Sequence, residues 1–200
     1  MFQAESRLRT GFSLDRRYAF LMGMPESDKE SAILAIAHIF GEYGIPYAIM
    51  GGVAVQIHTS EPRTTLDLDI ALRNQDDVPV DALRAAGFLH EGTFRFSDNW
   101  RAPGDAPIKQ RTAVQFSADD LTAQAVDGAG VVTLGGVEIS VVSPRDLVRL
   151  KIAAAKEPRR RHSKRISDYG DIVRLLEEHP EIASQIPRIV TDLSAIRSML

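Results

Sequence analysis

Apolar and polar positions follow two rhythms along this chain. Ile33, Ile36, Ala37, Phe40 and Tyr43 recur at helical spacing. Ser27 or Asp28 is the expected N-cap of that helix, with Glu30 in its first turn. Gly44 and Pro46 end it. Tyr47–Met50 is a short apolar run that reads as a buried strand, broken by Gly51 and Gly52 and followed by a short helix over 53–58. Over 66–72 the period drops to two. Leu66, Leu68, Ile70 and Leu72 alternate with Asp67, Asp69 and Ala71, which predicts a strand with one apolar and one acidic face.

The rest of the chain mixes both rhythms. A helix is expected over 80–86, ended by Gly87, and strands over 88–96 and 111–117 with a polar connection around 100–107. A short helix follows over 121–126. Residues 131–134 and 137–142 flank Gly135-Gly136, a two-residue hairpin signal. Ser143 suits an N-cap and Pro144 the first helical position, with the helix running to Ala155. A second helix is expected over 167–178, with Ile172, Leu175 and Leu176 inward, and Pro180 and Pro187 punctuate short helices to the end. The first 25 residues are poorly patterned and read as an arm or a short helix. The sum is an α+β fold, with a mixed β-sheet body, flanking helices and a C-terminal helical tail. The expected divisions are an arm at 1–27, an α+β core at 28–143 and a helical region at 144–200.

Composition adds exclusions. A chain of 200 residues, 44% hydrophobic and 26% charged, is globular and large enough to need no staples. It has no cysteine, which excludes disulfides, thiolate metal sites and a Cys nucleophile. It lacks any run of about 18 apolar residues, so no membrane span is expected. The opening MFQAESRLRTGFSLDRR has no apolar stretch of the secretory kind, and a cytoplasmic protein is expected.

The formal charge of −3 is split. Residues 1–150 carry 14 basic and 20 acidic side chains, and residues 151–200 carry 10 and 7. The tail's excess sits in KEPRRRHSKR, from Lys156 to Arg165. Such a run attracts a polyanion, RNA or a triphosphate, or is simply a solvated loop.

Asp67 and Asp69 are the sharpest chemical feature. On a strand, residues two apart share a face and lie roughly 6.5–7 Å apart. Two such carboxylates repel each other, and a divalent cation with hard-oxygen preference relieves the repulsion. Asp is a poor strand former, so the pair calls for a reason. The strand at Tyr47–Met50 runs into Gly51-Gly52 and then a helix, which places open backbone N–H groups at a helix N-terminus, a seat for phosphate. Each feature alone also has a plain reading, as a solvated strand face and a turn.

Taken in order, YAIMGGVAVQIH from Tyr47 to His58 and then RTTLDLD from Arg63 to Asp69 resemble the nucleotidyltransferase superfamily signature. The Arg-x-Thr-x-Asp-x-Asp form resembles the branch holding AbiEii-type toxins and minimal nucleotidyltransferases. VSPRDLVRLK from Val142 to Lys151, and Asp168 with Asp171, are similar to that branch's C-terminal helices. The likeness covers roughly residues 30–178. It implies Mg²⁺-dependent transfer of an NMP group from an NTP to a hydroxyl, with two metals able to clamp the reacting oxygens. By this resemblance Asp67 and Asp69 are the catalytic metal ligands, Gly51 and Gly52 seat the phosphates, and Lys151 reaches the triphosphate. Arg63 and Thr65 shape the loop before the strand. A cognate antitoxin is an implied partner, and the acceptor stays open among a tRNA end, a protein hydroxyl and an aminoglycoside.

The chain also departs from that pattern. The superfamily supplies a third carboxylate from a later strand, and the corresponding place here is Gln115 in Val114-Gln115-Phe116. An amide oxygen can ligate a hard cation but cannot act as a base. Glu138 and Asp119 are alternative sources of the third carboxylate. Where the branch has Lys before its later Asp pair, Ser167 stands here, with Arg165 as a substitute charge. Asp168 also reads as the helical partner of Lys164. His58, closing the short helix, reads first as structural. A degenerate, noncatalytic module with the same fold is the alternative that Gln115 motivates.

Overall fold

The computed structural model describes residues 2–25, 29–94 and 97–199. The expected N-cap at Ser27 or Asp28, and Arg95 and Phe96 at the end of an expected strand, lie outside the described residues.

Seven strands form one mixed sheet among the described residues. They are β1 (Tyr47–Met50), β2 (Asp67–Leu72), β3 (Leu89–Phe94), β4 (Ser97–Arg101), β5 (Ala113–Ala118), β6 (Gly130–Leu134) and β7 (Val137–Val141). Their order is β3-β4-β5-β2-β1-β7-β6. β2 lies antiparallel to β1 and parallel to β5, and β1 is parallel to β7. The helices are α1 (Phe2–Leu21), α2 (Lys29–Glu42), α3 (Gly51–His58), α4 (Val80–Ala85), α5 (Asp120–Asp127), α6 (Pro144–Lys156), α7 (His162–Glu178), α8 (Ile182–Gln185) and α9 (Ile189–Ser198). The expected α+β body and helical tail are therefore present. No helix of the described residues is long and apolar enough to cross a membrane.

The period of two in β2 sends Leu68, Ile70 and Leu72 into the core, all fully buried. Leu68 and Ile70 pair with Val114 and Phe116 of β5. Phe40 from α2 stacks on Phe116 with ring centroids 5.7 Å apart and leans on Tyr47 at 5.2 Å. Each such side chain contributes roughly 1.5–3 kcal/mol by leaving water. The opposite face of β2 carries Asp67, Asp69 and Ala71, and α5 packs against β1, β2 and β5. The Gly135-Gly136 turn has φ of 58° and 84°, the left-handed pair that a two-residue hairpin requires. Ser143 caps α6, its Oγ accepting from Asp146 N at 3.2 Å, with Pro144 in the first turn.

Four elements differ from the reading of the sequence. The first is α1, a 20-residue helix in place of an arm or short helix. Its inward positions are Leu8, Phe12, Asp15 and Ala19, all buried. The spacing is helical, but the aspartate interrupts the apolar stripe. The second is β4, which begins just past the strand expected over 88–96 and runs into the connection expected around 100–107. Its inward positions are Asp98 and Trp100, 4% and 0% exposed. Asp98 is satisfied by Thr93 Oγ1 at 2.6 Å, His90 Nε2 at 2.6 Å and Trp100 Nε1 at 2.8 Å. Burial pushes this carboxyl up, and those three bonds more than reverse the push. The third is α7, which begins at His162 and so takes in Lys164 and Arg165. The fourth is Leu66, which precedes β2 and is exposed.

Candidate functional site

The site is built where β1 ends and β2 begins. The antiparallel register sets Met50 opposite Asp69, so Gly51 follows the strand directly beside that carboxylate. Gly51 has φ 62°, and a Cβ there would meet Asp69 Cγ at 2.7 Å. A left-handed backbone and a close approach thus both require glycine at this position. Gly52 is tight for another reason. A Cβ there would meet Thr65 Oγ1 at 2.6 Å, and the Arg63 guanidinium. α3 starts at these glycines with Met50 as N-cap, and Met50 offers no side-chain acceptor to the first-turn N–H groups. Those donors lie at the positive end of the helix dipole without a side-chain cap.

Asp67 is exposed and Asp69 half-buried on the same face of β2. Burial pushes the Asp69 carboxyl above the ordinary range, and the like charge of Asp67 adds to the push. Lys151, Lys164 and Arg63 draw it back down. The parallel register of β2 and β5 sets Gln115 opposite Asp69, and β4 sets Asn99 opposite Gln115. The row across the sheet is therefore Asp69, Gln115, Asn99, with a half-buried neutral amide beside the half-buried carboxylate.

The other proposed carboxylates lie apart from this row. Asp119 is the N-cap of α5, its Oδ1 accepting from Leu121 N at 2.9 Å and Thr122 N at 2.8 Å. Glu138 is on β7, paired with Thr133 of β6 and separated from β2 by β1. Among the described residues, no three His, Cys, Asp or Glu side chains gather as a metal-holding group. The oxygen donors at the site are two carboxylates and one amide.

Beneath the glycine turn runs a chain of alternating charges. Arg63 Nε donates to Asp171 Oδ1 at 2.7 Å, and Arg63 Nη2 to Ser167 Oγ at 3.2 Å. Lys151 Nζ lies 2.8 Å from Asp171 Oδ2 and 3.1 Å from Asp168 Oδ1. Arg160 completes the chain with two bonds to Asp168 Oδ2, at 2.9 and 2.6 Å. Asp168 thus partners Lys151 and Arg160, in place of the Lys164 that helical spacing suggested. Lys151 is largely covered, its ammonium held by two buried carboxylates.

The basic run divides by role. Arg165 is buried, with Nε donating to Ala155 O at 2.8 Å and Nη2 to Glu157 O at 3.1 Å, so it closes the C-terminus of α6. Lys156 pairs with Asp192 at 2.7 Å. Arg159, Arg161 and Lys164 are exposed, and Lys164 is the one whose field reaches Asp69. His58 stands outside the site chemistry. Its Nε2 bonds to Val142 O at 2.7 Å, and burial pushes its pKa down to about 4.

A second anchor comes from the first two helices. Lys29 Nζ donates to Asp15 Oδ2 at 2.6 Å and also to Thr65 O, while Thr65 N donates to Asp15 Oδ1 at 3.0 Å. The two side chains are 1% and 2% exposed. One buried ion pair thus satisfies both backbone groups of Thr65, two residues before Asp67. Nothing in the apolar pattern announced it, although the helical spacing of Leu8, Phe12, Asp15 and Ala19 was available in the sequence.

No family model matches the chain, and no curated protein matches it. Solved structures do share its fold. An antigenic nucleotidyltransferase-like protein from Paracoccidioides brasiliensis superposes with a TM-score of 0.53 at 17% identity, covering 83% of this chain and 92% of its own. ANT(2")-Ia in complex with adenylyl-2"-tobramycin gives 0.56 at 14% identity, with 86% and 99% covered. The lincosamide antibiotic adenylyltransferase LnuA, lincomycin-bound, gives 0.50 at 15% identity, with 74% and 96% covered. At these identities the likeness is one of architecture, and the chain has the fold of solved nucleotidyltransferases.

Proposed function

We propose that this chain, on its nucleotidyltransferase fold, binds an NTP with Mg²⁺ and transfers the NMP group to an acceptor hydroxyl. The observation that carries the reading is one juxtaposition. Two carboxylates share the open face of β2, and the uncapped start of α3 packs against one of them. Carboxylates attract a cation and the helix start attracts an anion, so together they select a metal–polyphosphate.

The donor set fits Mg²⁺. The push of the Asp67 charge on Asp69 marks a site that gains from a divalent charge, and all donors are hard oxygens. Asp67 and Asp69 would hold the ion, with the Gln115 amide oxygen beside them and substrate phosphates supplying further ligands. Bound there, the ion supplies positive charge that offsets the carboxylates and the triphosphate. The chain's own groups do the rest. The first N–H groups of α3 orient the β- and γ-phosphates. Lys164 and Lys151 set the positive potential the triphosphate meets, and a direct contact from Lys151 requires it to leave one of its carboxylates. In the transfer, the acceptor oxygen bonds to the α-phosphorus. The bond to the bridging oxygen breaks, pyrophosphate leaves with that electron pair, and the hydroxyl proton passes to solvent. Gln115 takes no proton.

Labelled NTP incubated with Mg²⁺ and candidate acceptors tests this reading. Transfer that survives Asp67→Ala and Asp69→Ala would overturn it. Gln115 favours a second reading, a noncatalytic NTP-binding module, whose sign is Mg²⁺–NTP binding without turnover. Gln115→Asp then creates activity. An AbiEii-like toxin role, with a cognate antitoxin, rests on the sequence resemblance. RNA binding through Lys156 to Arg165 rests on charge, and its sign is affinity that falls steeply with salt.

A further inference from the structure

The hollow beside Asp67 is about 310 Å³ and opens over β3, β4 and β5. That volume admits about one ring-sized molecule. The sheet register fixes what faces it. Gln115 and Asn99 stand side by side on neighbouring strands, extending the Asp69 row away from the carboxylates. Strands lie about 4.8 Å apart, so the two carboxamides stand close enough to meet two hydroxyls of one small molecule. Each carboxamide offers both a donor and an acceptor, as a hydroxyl does. Opposite Asn99 the row ends at Gly92, which has no side chain. Phe94, two residues on, shares that face. Its ring is 62% exposed, and a Cβ on Gly92 would sit 3.8 Å from its Cε2. The row thus ends on an open aromatic surface.

Charge decides the class of molecule. Arg101 projects toward Glu91, with Nε 2.9 Å from Glu91 Oε1, and its Nη1 donates to Arg111 O at 3.0 Å. Among the described residues, the one cation lining the hollow is therefore paired with the one carboxylate there besides Asp67. A polycationic acceptor finds no surplus of carboxylates here, since Asp67 is committed to the metal. A polyanion finds no unpaired cation among the described lining residues.

We infer that this hollow is the acceptor subsite and that it takes an uncharged, polyhydroxylated ring compound, a glycoside or nucleoside. Asn99 and Gln115 hydrogen-bond its hydroxyls, Phe94 covers the face of its ring, and one hydroxyl is presented beside Asp67. This rests on the nucleotidyl-transfer reading, because the molecule it names is the one whose hydroxyl displaces pyrophosphate.

The test uses the full chain with Mg²⁺ and each α-labelled NTP against three acceptor sets: uncharged glycosides and nucleosides, aminoglycosides, and RNA. Label is expected on the uncharged set. Asn99→Leu and Phe94→Ala should each raise the acceptor KM about tenfold or more and leave the affinity for Mg²⁺–NTP, read by calorimetry, unchanged. Unchanged NTP binding also shows that the variants fold. Label confined to aminoglycosides or RNA, or an acceptor KM unmoved in both variants, overturns the inference. Mg²⁺–NTP binding with no labelled uncharged acceptor overturns the inference and leaves the metal–nucleotide site standing. Absence of Mg²⁺–NTP binding overturns the site itself, and the acceptor subsite with it.

Discussion

Replacing Lys29 by Met removes an ammonium that is 1% exposed and held by Asp15 and Thr65 O. Two groups lose their partner at once. The Asp15 carboxylate, 2% exposed, becomes an uncompensated buried charge, and the Thr65 carbonyl loses its donor. Breaking one side of a buried ion pair costs about 3–5 kcal/mol. For a domain of this size, that lowers the melting temperature by on the order of 10 °C. Adding Asp15→Asn should then help. The Asn side chain keeps an oxygen for Thr65 N and carries no charge, so what stays unpaired, the Thr65 carbonyl and the Asn N–H, is neutral and costs about 1–3 kcal/mol. The double variant is therefore expected to be about 2 kcal/mol more stable than Lys29→Met alone. Thermal and urea unfolding followed by circular dichroism measure both differences. A Lys29→Met loss below about 1 kcal/mol, or a double variant no more stable than the single, would refute the reasoning. The same pair brackets the loop ahead of Asp67, so Mg²⁺–NTP affinity should fall in Lys29→Met and recover in part in the double variant.

Other expectations follow from the site. Asp69 holds its proton more tightly in the folded than in the unfolded chain, so its ionisation weighs against folding as pH rises above the usual carboxylate range. Asp69→Asn should therefore raise the melting temperature of the metal-free protein at pH 7 while abolishing Mg²⁺–NTP binding in calorimetry. Gly51→Ala forces a side chain into a left-handed backbone and against Asp69. It should cost about 1–3 kcal/mol in urea unfolding and weaken Mg²⁺–NTP binding at least tenfold. His58 has a pKa of about 4 when folded against 6.5 when free. As pH falls from 6.5 to about 4 the unfolded chain takes up the proton first, and stability should drop by on the order of 3 kcal/mol. A His58→Gln variant should show a flatter acid titration of stability.

The core strands were legible because their rhythm is unbroken. β2 alternates cleanly, β1 is apolar throughout, and both lead to the paired aspartates and glycines. The place of Gln115 came from the family resemblance, while the apolar Val114 and Phe116 fixed only the face it stands on, since a two-residue slip would bury them equally. What escaped were elements whose inward positions are polar. Asp15 breaks the stripe of α1 and Asp98 breaks the strand signal of β4. In each case neighbouring side chains supply the satisfaction, Lys29 of the next helix for one and the His90, Thr93 and Trp100 donors of the β3–β4 hairpin for the other. The start of α7 escaped for a related reason. Arg165 is buried by serving the carbonyls of Ala155 and Glu157, and a run of cations reads as solvated until those acceptors are known.

The attachment of α1 constrains the order in which the protein can be completed. Asp15 waits for Thr65, Glu5 accepts from Gly135 N at 3.1 Å, and Arg7 pairs with Glu178 at 2.6 Å. The helix leaves the ribosome before any of those partners exists. An isolated helix of this kind is marginal in water, so α1 is expected to dock after α3 and β6, the elements it packs against, have formed. Until then the loop ahead of Asp67 has no bracket. On this order the strands of the sheet pair before the segment that leads into Asp67 is bracketed.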